Sequence, residues 1–324
     1  MKNLIYLLPA LFILASCDET IVPDPPIDLS DSISMGAGYA NDVYYSLENG
    51  IVKTTPRAGW DIAFSTNPMS STVLINEGYG IELYAYPYGA KDAWDAIDTS
   101  GMAGWTRLYN ADTTWMNGAF DRNATGHPDY GWGVYNAQTH DVVGDSLFII
   151  KLSDGSLQKI LIEKRAAMSN SYIVKYGDID SEGIVKEITC GPVQGKNFIY
   201  FSLETGEVLD NEPESESWDI VFTRYHDESI PYIVTGVLSN VNVETAEVRN
   251  LDTGLADPLS AAFSEDISVI GSDWKSFDSG TYTYQAEPDL CYFVRRDGLT
   301  CKIVFTGTDG SVSGKMVFDI EKLD

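Results

Sequence analysis

One pattern occurs twice in this chain, and that limits the fold more than any other feature. Residues 44–64 read YYSLENGIVKTTPRAGWDIAF, and residues 200–222 read YFSLETGEVLDNEPESESWDIVF. An aromatic pair, Ser-Leu-Glu, a glycine two residues on, and Trp-Asp-Ile-x-Phe recur in the same order. A second block follows in each copy, DGSLQKILIE at 154–163 and DGLTCKIVFT at 297–306. Its offset holds without gaps as far as Val174 and Val317, and upstream GWGVY (131–135) matches SDWKSF (272–277). Ordered self-similarity of this kind marks a tandem duplication. It predicts two units on one plan, residues 34–185 and residues 189–324.

Both units read as strands. WDIAF and WDIVF are short, rich in branched and aromatic residues, and bounded by turn formers. FIIKL-SDG-SLQKILI and YFVRR-DG-LTCKIVF are apolar runs joined through Asp-Gly, the strongest short hairpin signal. Helical periodicity is weak, with short helices expected only near 89–97 and 257–265. The predicted fold class is all-β: two tandem antiparallel β-rich domains with few short helices. The repeated Trp60 and Trp218 are expected to anchor cores, and the repeated Lys159 and Lys302 to face solvent or a strand-side carboxylate.

The amino terminus places the protein. MKNLIYLLPALFILASC carries an early lysine, an apolar stretch, then Ala15 and Ser16 before Cys17. This reads as a secretory signal, too short and wrongly flanked for a spanning helix. Leu14-Ala15-Ser16-Cys17 has the form of a bacterial lipobox. Residues 1–16 are then a signal peptide, and Cys17 is the lipidated residue that anchors the chain to a membrane. Residues 17–33, CDETIVPDPPIDLSDSI, are acidic and Pro-rich and should form an extended, solvated tether. Acidic residues directly after the lipid cysteine resemble the export signal of surface lipoproteins of Bacteroidetes-type bacteria, which implies a lipid-anchored outer-membrane protein facing outward.

Charge excludes one class of partner. Lys and Arg total 21 against 48 Asp and Glu, for a net charge of −27. A chain this acidic repels nucleic acid and anionic lipid. With Cys17 lipidated, Cys190, Cys291 and Cys301 remain; three thiols allow at most one disulfide, and semi-buried small hydrophobes are an equal reading. No GxSxG, HExxH, P-loop or Rossmann fingerprint is present, and an enzyme is not expected. Carboxylate pairs such as Asp92 with Asp95 arise by chance in so acidic a sequence. DTTWMNGAFDRN and DIDSEG space carboxylates closely enough for calcium but lack the EF-hand pattern.

The blocks SLENG…WDIAFSTN (46–67), WGVYNAQTH (132–140) and the DGxxxKI hairpin (154–160), with SLETG…WDIVF and DGLTCKI in the second copy, resemble the HmuY-like family of haem-binding surface lipoproteins. The resemblance spans most of both repeats, here in two tandem copies. It implies a β-rich haemophore that grips haem between loops, takes it from a host haem protein and hands it to an outer-membrane receptor. It also implies axial His or Met ligands to the haem iron. This chain has three histidines, His127, His140 and His226. His127 and His140 share the loop-rich GHPDYGWGVYNAQTH, and Met102 and Met116 lie in the aromatic-rich insertion from Trp94 to Trp132. These four are the candidate iron ligands, since haem iron takes a neutral imidazole nitrogen or a thioether on each face. The alternative is a cofactor-free surface adhesion module that presents Tyr and Trp loops to a glycan or protein.

Overall fold

The computed structural model describes residues 28–190, 195–249 and 252–323; Cys17 and the signal lie outside them. Among the described residues every helix is a three-residue 3₁₀ turn, and no helix is long and apolar enough to cross a membrane. The segments near 89–97 and 257–265 form only the turns Lys91–Ala93 and Pro258–Ser260. They are too short to offset the cost of nucleating an α-helix.

The fold is all-β and its ladders are antiparallel, as expected. A five-stranded sheet runs, in spatial order, Asp28–Ser34, Lys315–Lys322, Leu299–Thr308, Leu290–Arg296 and Glu244–Arg249. An eight-stranded sheet runs Ile184–Thr189, Ser171–Asp178, Leu157–Ala166, Phe148–Lys151, Glu82–Ala85 and Arg107–Leu108. Its remaining two strands, Val142–Gly144 and Gly133–Tyr135, branch off Leu157–Ala166. Two four-stranded sheets complete the frame. The first is Val208–Leu209, Phe198–Phe201, Ile62–Ser65 and Val73–Ile75; the second is Ile233–Ser239, Ile220–His226, Asn41–Ser46 and Gly50–Pro56.

Each four-stranded sheet mixes the two sequence copies. The WDIAF strand of the first copy pairs with Phe198–Phe201 of the second, and the WDIVF strand of the second pairs with Asn41–Ser46 of the first. Packing follows the exchange. The first core joins Phe64, Trp132, Phe148 and Tyr172 to Ile199 and Phe201, so residues 57–211 form one lobe. The second core joins Val43 and Tyr45 to Phe222, Trp274, Tyr292 and Phe318. That lobe is built from both ends of the described chain.

The repeated motifs explain the exchange. The Asp61 carboxylate of WDIAF accepts the Leu203 N–H of the second SLE at 2.7 Å, and Asp219 of WDIVF accepts the Leu47 N–H of the first SLE at 2.8 Å. The Asn76 side-chain amide donates to the Arg57 and Trp60 carbonyls, and Asn240 repeats this toward Ser215 and Trp218. Such side chains satisfy the backbone groups that a strand leaves free where it enters a turn. Asp-Gly acts as read: Asp297 and Gly298 both take positive φ, the requirement of the two-residue turn between Arg296 and Leu299.

The lysine pair divides. Lys302 meets Glu321 at 3.0 Å, the carboxylate partner expected. Lys159 differs from expectation: it is buried, donates to the Trp94 carbonyl at 2.8 Å and lies over the Trp94 ring. The extra segment around Trp94, which the second copy does not match, covers it. Cys190, Cys291 and Cys301 are buried free thiols.

Candidate functional site

The structure brings two of the four predicted ligands together. Gly133–Tyr135 pairs with Val142–Gly144, so NAQTH is the loop of a hairpin that places Tyr135 and His140 at its mouth. The Asn136 side-chain oxygen accepts the Gln138 and Thr139 amides, a side-chain-closed turn, and the His140 N–H returns to the Asn136 carbonyl at 2.8 Å. His140 has φ of 63°, a left-handed conformation for which Asn, Asp and His are enriched. Its Nδ1 lies 2.5 Å from the Tyr135 hydroxyl. The Tyr135 N–H donates to the Pro128 carbonyl at 2.8 Å, which pins the His127 loop alongside. The His127 and His140 rings stand 5.1 and 6.0 Å from the Tyr135 ring, and both are exposed.

The methionines are elsewhere. Met102 packs against the cluster of Tyr86, Trp94 and Ile149, and its carbonyl accepts the Trp105 N–H at 2.9 Å. Met116 is half exposed, and its carbonyl accepts the Thr72 hydroxyl at 2.9 Å. Among the described residues no hydrogen bond or ring contact joins either methionine to His127 or His140. Asp121 of the carboxylate-rich DTTWMNGAFDRN is half-buried, its carboxylate tied to the Val73 and Gly118 amides. Burial pushes its carboxyl well above the usual range. Among the described residues no three His, Cys, Asp or Glu side chains gather as a metal cage.

A second site was not legible in the sequence. The two four-stranded sheets turn their outer faces toward each other, and Trp115 packs against both faces. Matched edge-to-face pairs line the seam, one on each face: Tyr44 on Trp218 at 5.0 Å and Tyr200 on Trp60 at 4.8 Å. The repeated tryptophans therefore anchor this seam and lie outside the two main cores. Between the faces lies a cavity of about 80 Å³, lined by these rings and by polar groups from both lobes.

Four N–H groups of lining residues have no partner within the protein: Trp60 Nε1, Trp218 Nε1, Asn211 Nδ2 and Arg224 Nε. Each unpaired buried donor costs about 1–3 kcal/mol. The acids around them are strongly perturbed. Burial pushes Glu212 up to about 7, against hydrogen bonds from the Phe198 and Asn197 amides and the Tyr200 hydroxyl. Burial likewise raises Glu77 to about 7, against the His226 and Asn110 amides at 2.9 and 3.0 Å. Asp42 is buried against Arg57 at 2.7 Å, and desolvation outweighs that contact and raises its pKa. The third histidine, His226, stacks on Tyr109 at 3.6 Å; burial, then the Arg107 charge, lower its pKa.

Compared with known families and with curated proteins, the chain matches no family model and no curated sequence.

Proposed function

We propose that the protein is a lipoprotein anchored through Cys17 to the outer membrane, facing the cell surface, and that it binds haem for iron acquisition. The binding edge is formed by His127, Tyr135 and His140. The observation that supports this reading is the convergence of the two imidazoles on Tyr135, since a bis-imidazole site needs two rings close enough to meet one iron from its opposite faces. Contact between the Tyr135 hydroxyl and Nδ1 of His140 fixes that ring and leaves Nε2 for iron, the usual way an outer partner orients a metal-binding histidine. His127 supplies the second nitrogen from the neighbouring loop. Because both rings are exposed, the edge is open to a host haem protein on one encounter and to an outer-membrane receptor on the next. Met102 and Met116 have no part in this site.

Haem titration of the full mature chain tests the reading. A saturable Soret shift is expected, weakened at least tenfold by His140→Ala and abolished in the His127→Ala/His140→Ala double variant. Met116→Ala and Met102→Ala should titrate as wild type. A spectrum identical in wild type and double variant would end it.

A second reading, a cofactor-free surface adhesion or glycan- or protein-binding module, has one observation in its favour. Tyr86, Tyr88 and Trp105 form an edge-to-face cluster at 5.7–5.9 Å with Tyr88 exposed, an amphipathic surface suited to a sugar or a protein. This reading expects retention on glycan or host-protein arrays that Tyr88→Ala diminishes.

A further inference from the structure

Where a sheet ends, its last strand leaves backbone N–H and C=O groups for another chain to pair with, and folds cover, shorten or charge such edges. Most edges of this molecule follow that rule. Arg107–Leu108 and Val208–Leu209 are two residues long. Along Val73–Ile75 the Val73 and Ile75 N–H groups donate to the Asp121 and Asn110 side chains. Along Ile233–Ser239 the Val237 and Ser239 N–H groups donate to the Gly271 and Ile267 carbonyls. Glu244–Arg249 is bridged at Thr245 by Ser264. Gly50–Pro56 ends in proline, and its Lys53 and Thr55 are held by Asp210 and Asn211.

Ile184–Thr189 departs from the rule. It closes the eight-stranded sheet, and among the described residues it pairs only with Ser171–Asp178. Ile184 and Val185 are 53% and 55% exposed, and Lys186, Glu187 and Thr189 are exposed as well. The Cys190 N–H donates to the Asn170 carbonyl, in register with this ladder. Bonded residues alternate along an antiparallel strand, so Ile188, Lys186 and Ile184 bond inward. The N–H and C=O groups of Val185, Glu187 and Thr189 therefore point off the edge. Asp28–Ser34 holds the matching place in the five-stranded sheet, beside Lys315–Lys322, the counterpart of Ser171–Asp178. That strand reads DLSDSIS where this one reads IVKEIT, so one edge is polar and acidic and the other is branched and apolar.

Charge and symmetry select the occupant. Gly206 lies against the Lys186 side chain, which brings the turn between the exposed Glu204 and Glu207 to this edge. With Glu182 and Glu187 also exposed, acids outnumber Lys186 here, which favours a basic segment. A second copy fits poorly. A two-fold axis at Lys186 or Glu187 gives the longest self-pairing of this strand, and it sets identical charges directly opposite each other. Two chains of net charge −27 also repel.

We propose that Ile184–Thr189 docks an extended segment of another protein, which adds to the sheet as a further strand and alternates branched apolar with basic residues. Main-chain hydrogen bonds to Val185, Glu187 and Thr189 supply affinity, and contacts with Ile184, Val185 and Glu187 select the sequence. This edge is separate from His127, Tyr135 and His140, and it stands or falls apart from haem binding.

The probe is a fluorescein-labelled decapeptide of alternating valine and lysine, followed by anisotropy with the full mature chain. Saturable binding is expected. The same peptide N-methylated at every residue should bind at least tenfold more weakly, since it cannot donate to the edge. A decapeptide of alternating valine and glutamate should not bind. Val185→Pro removes an outward N–H and keeps the inward ladder, a place where an edge strand tolerates proline. It should weaken binding at least tenfold with the near-ultraviolet circular dichroism unchanged. If Val185→Pro does not fold, Glu187→Lys gives a second check and should weaken the valine–lysine peptide at least threefold. His127→Ala/His140→Ala should bind as wild type. No saturable binding, equal affinity for the N-methylated peptide, or full affinity in a folded Val185→Pro would overturn the proposal. So would a dimer in sedimentation that Val185→Pro disperses, which would give the edge to a second copy.

Discussion

The two halves of the seam share a frame and differ in what they hang on it. Tyr44–Trp218 repeats Tyr200–Trp60, Asp219–Leu47 repeats Asp61–Leu203, and Asn240 repeats Asn76. The polar groups between them are not repeated. The positions that match Glu212 and Glu77 are Pro56 and Val241, and Phe198 stands where Asp42 would recur. The repeated pattern thus covers the contacts that frame the sheets, while each acid of the cavity occurs in one copy only. The difference teaches that scaffold and site are separable here: one is symmetric and can be tested in pairs, the other is not.

The strongest test of the shared frame is truncation of its rings. Trp218→Ala and Trp60→Ala should each destabilise by about 3–5 kcal/mol in urea denaturation, the usual cost of a large buried ring. Values that differ by more than about 2 kcal/mol would break the equivalence of the two halves. The next effect tests the asymmetry. Glu77 and Glu212 have folded pKa values near 7, above the ordinary 4.5. The folded state therefore holds protons that the unfolded chain releases. Their contribution is full below about pH 4.5 and is lost as pH rises through 7, up to about 3 kcal/mol for each carboxyl. Melting temperature should fall between pH 6 and pH 8, and Glu212→Gln should flatten that slope; an unchanged slope would show that Glu212 is ionised in the fold throughout. Smaller again, Asp61→Ala and Asp219→Ala should each cost about 2 kcal/mol by stranding a backbone N–H. They sit in different lobes, so the double variant should be additive within about 0.5 kcal/mol. The smallest effect concerns the lysines. Lys302→Met and Lys159→Met should each cost about 1 kcal/mol at low salt. In 1 M NaCl the first penalty should shrink, because a charge pair is screened, and the second should persist, because a buried contact to a carbonyl is not.

The strands were legible because their residues obey local rules. WDIVF carries β-branched or aromatic side chains at every position after the Asp and WDIAF at all but Ala63, and the strands prove to be covered on both faces. The exchange between copies was not legible, and for a physical reason. Matched strands present the same hydrogen-bonding edge and the same side chains, so a pairing within one copy and a pairing across copies satisfy the same sequence. At the His127–His140 edge, the two imidazoles were visible but Tyr135 was not, because its role depends on a left-handed residue and a turn closed by Asn136. The methionines were grouped with the histidines by proximity in sequence; the insertion folds them onto other surfaces. Glu212 follows a loop with no periodicity, and it is buried by folding back onto Asn197, Phe198 and Tyr200.

Pairing of Asp28–Ser34 with Lys315–Lys322 has a consequence for how the molecule comes into being. Residues 57–211 are contiguous and can close on themselves as soon as they have been made. The other lobe has its opening strands at one end of the described chain and its last strand at the other, a contact order that makes closure slow. During synthesis Asn41–Ser46 and Gly50–Pro56 can pair with each other early, but Asp28–Ser34 must wait for its partner until nearly all of the remaining chain has appeared. Only a chain that has reached Lys322 can complete the five-stranded sheet by pairing Asp28–Ser34.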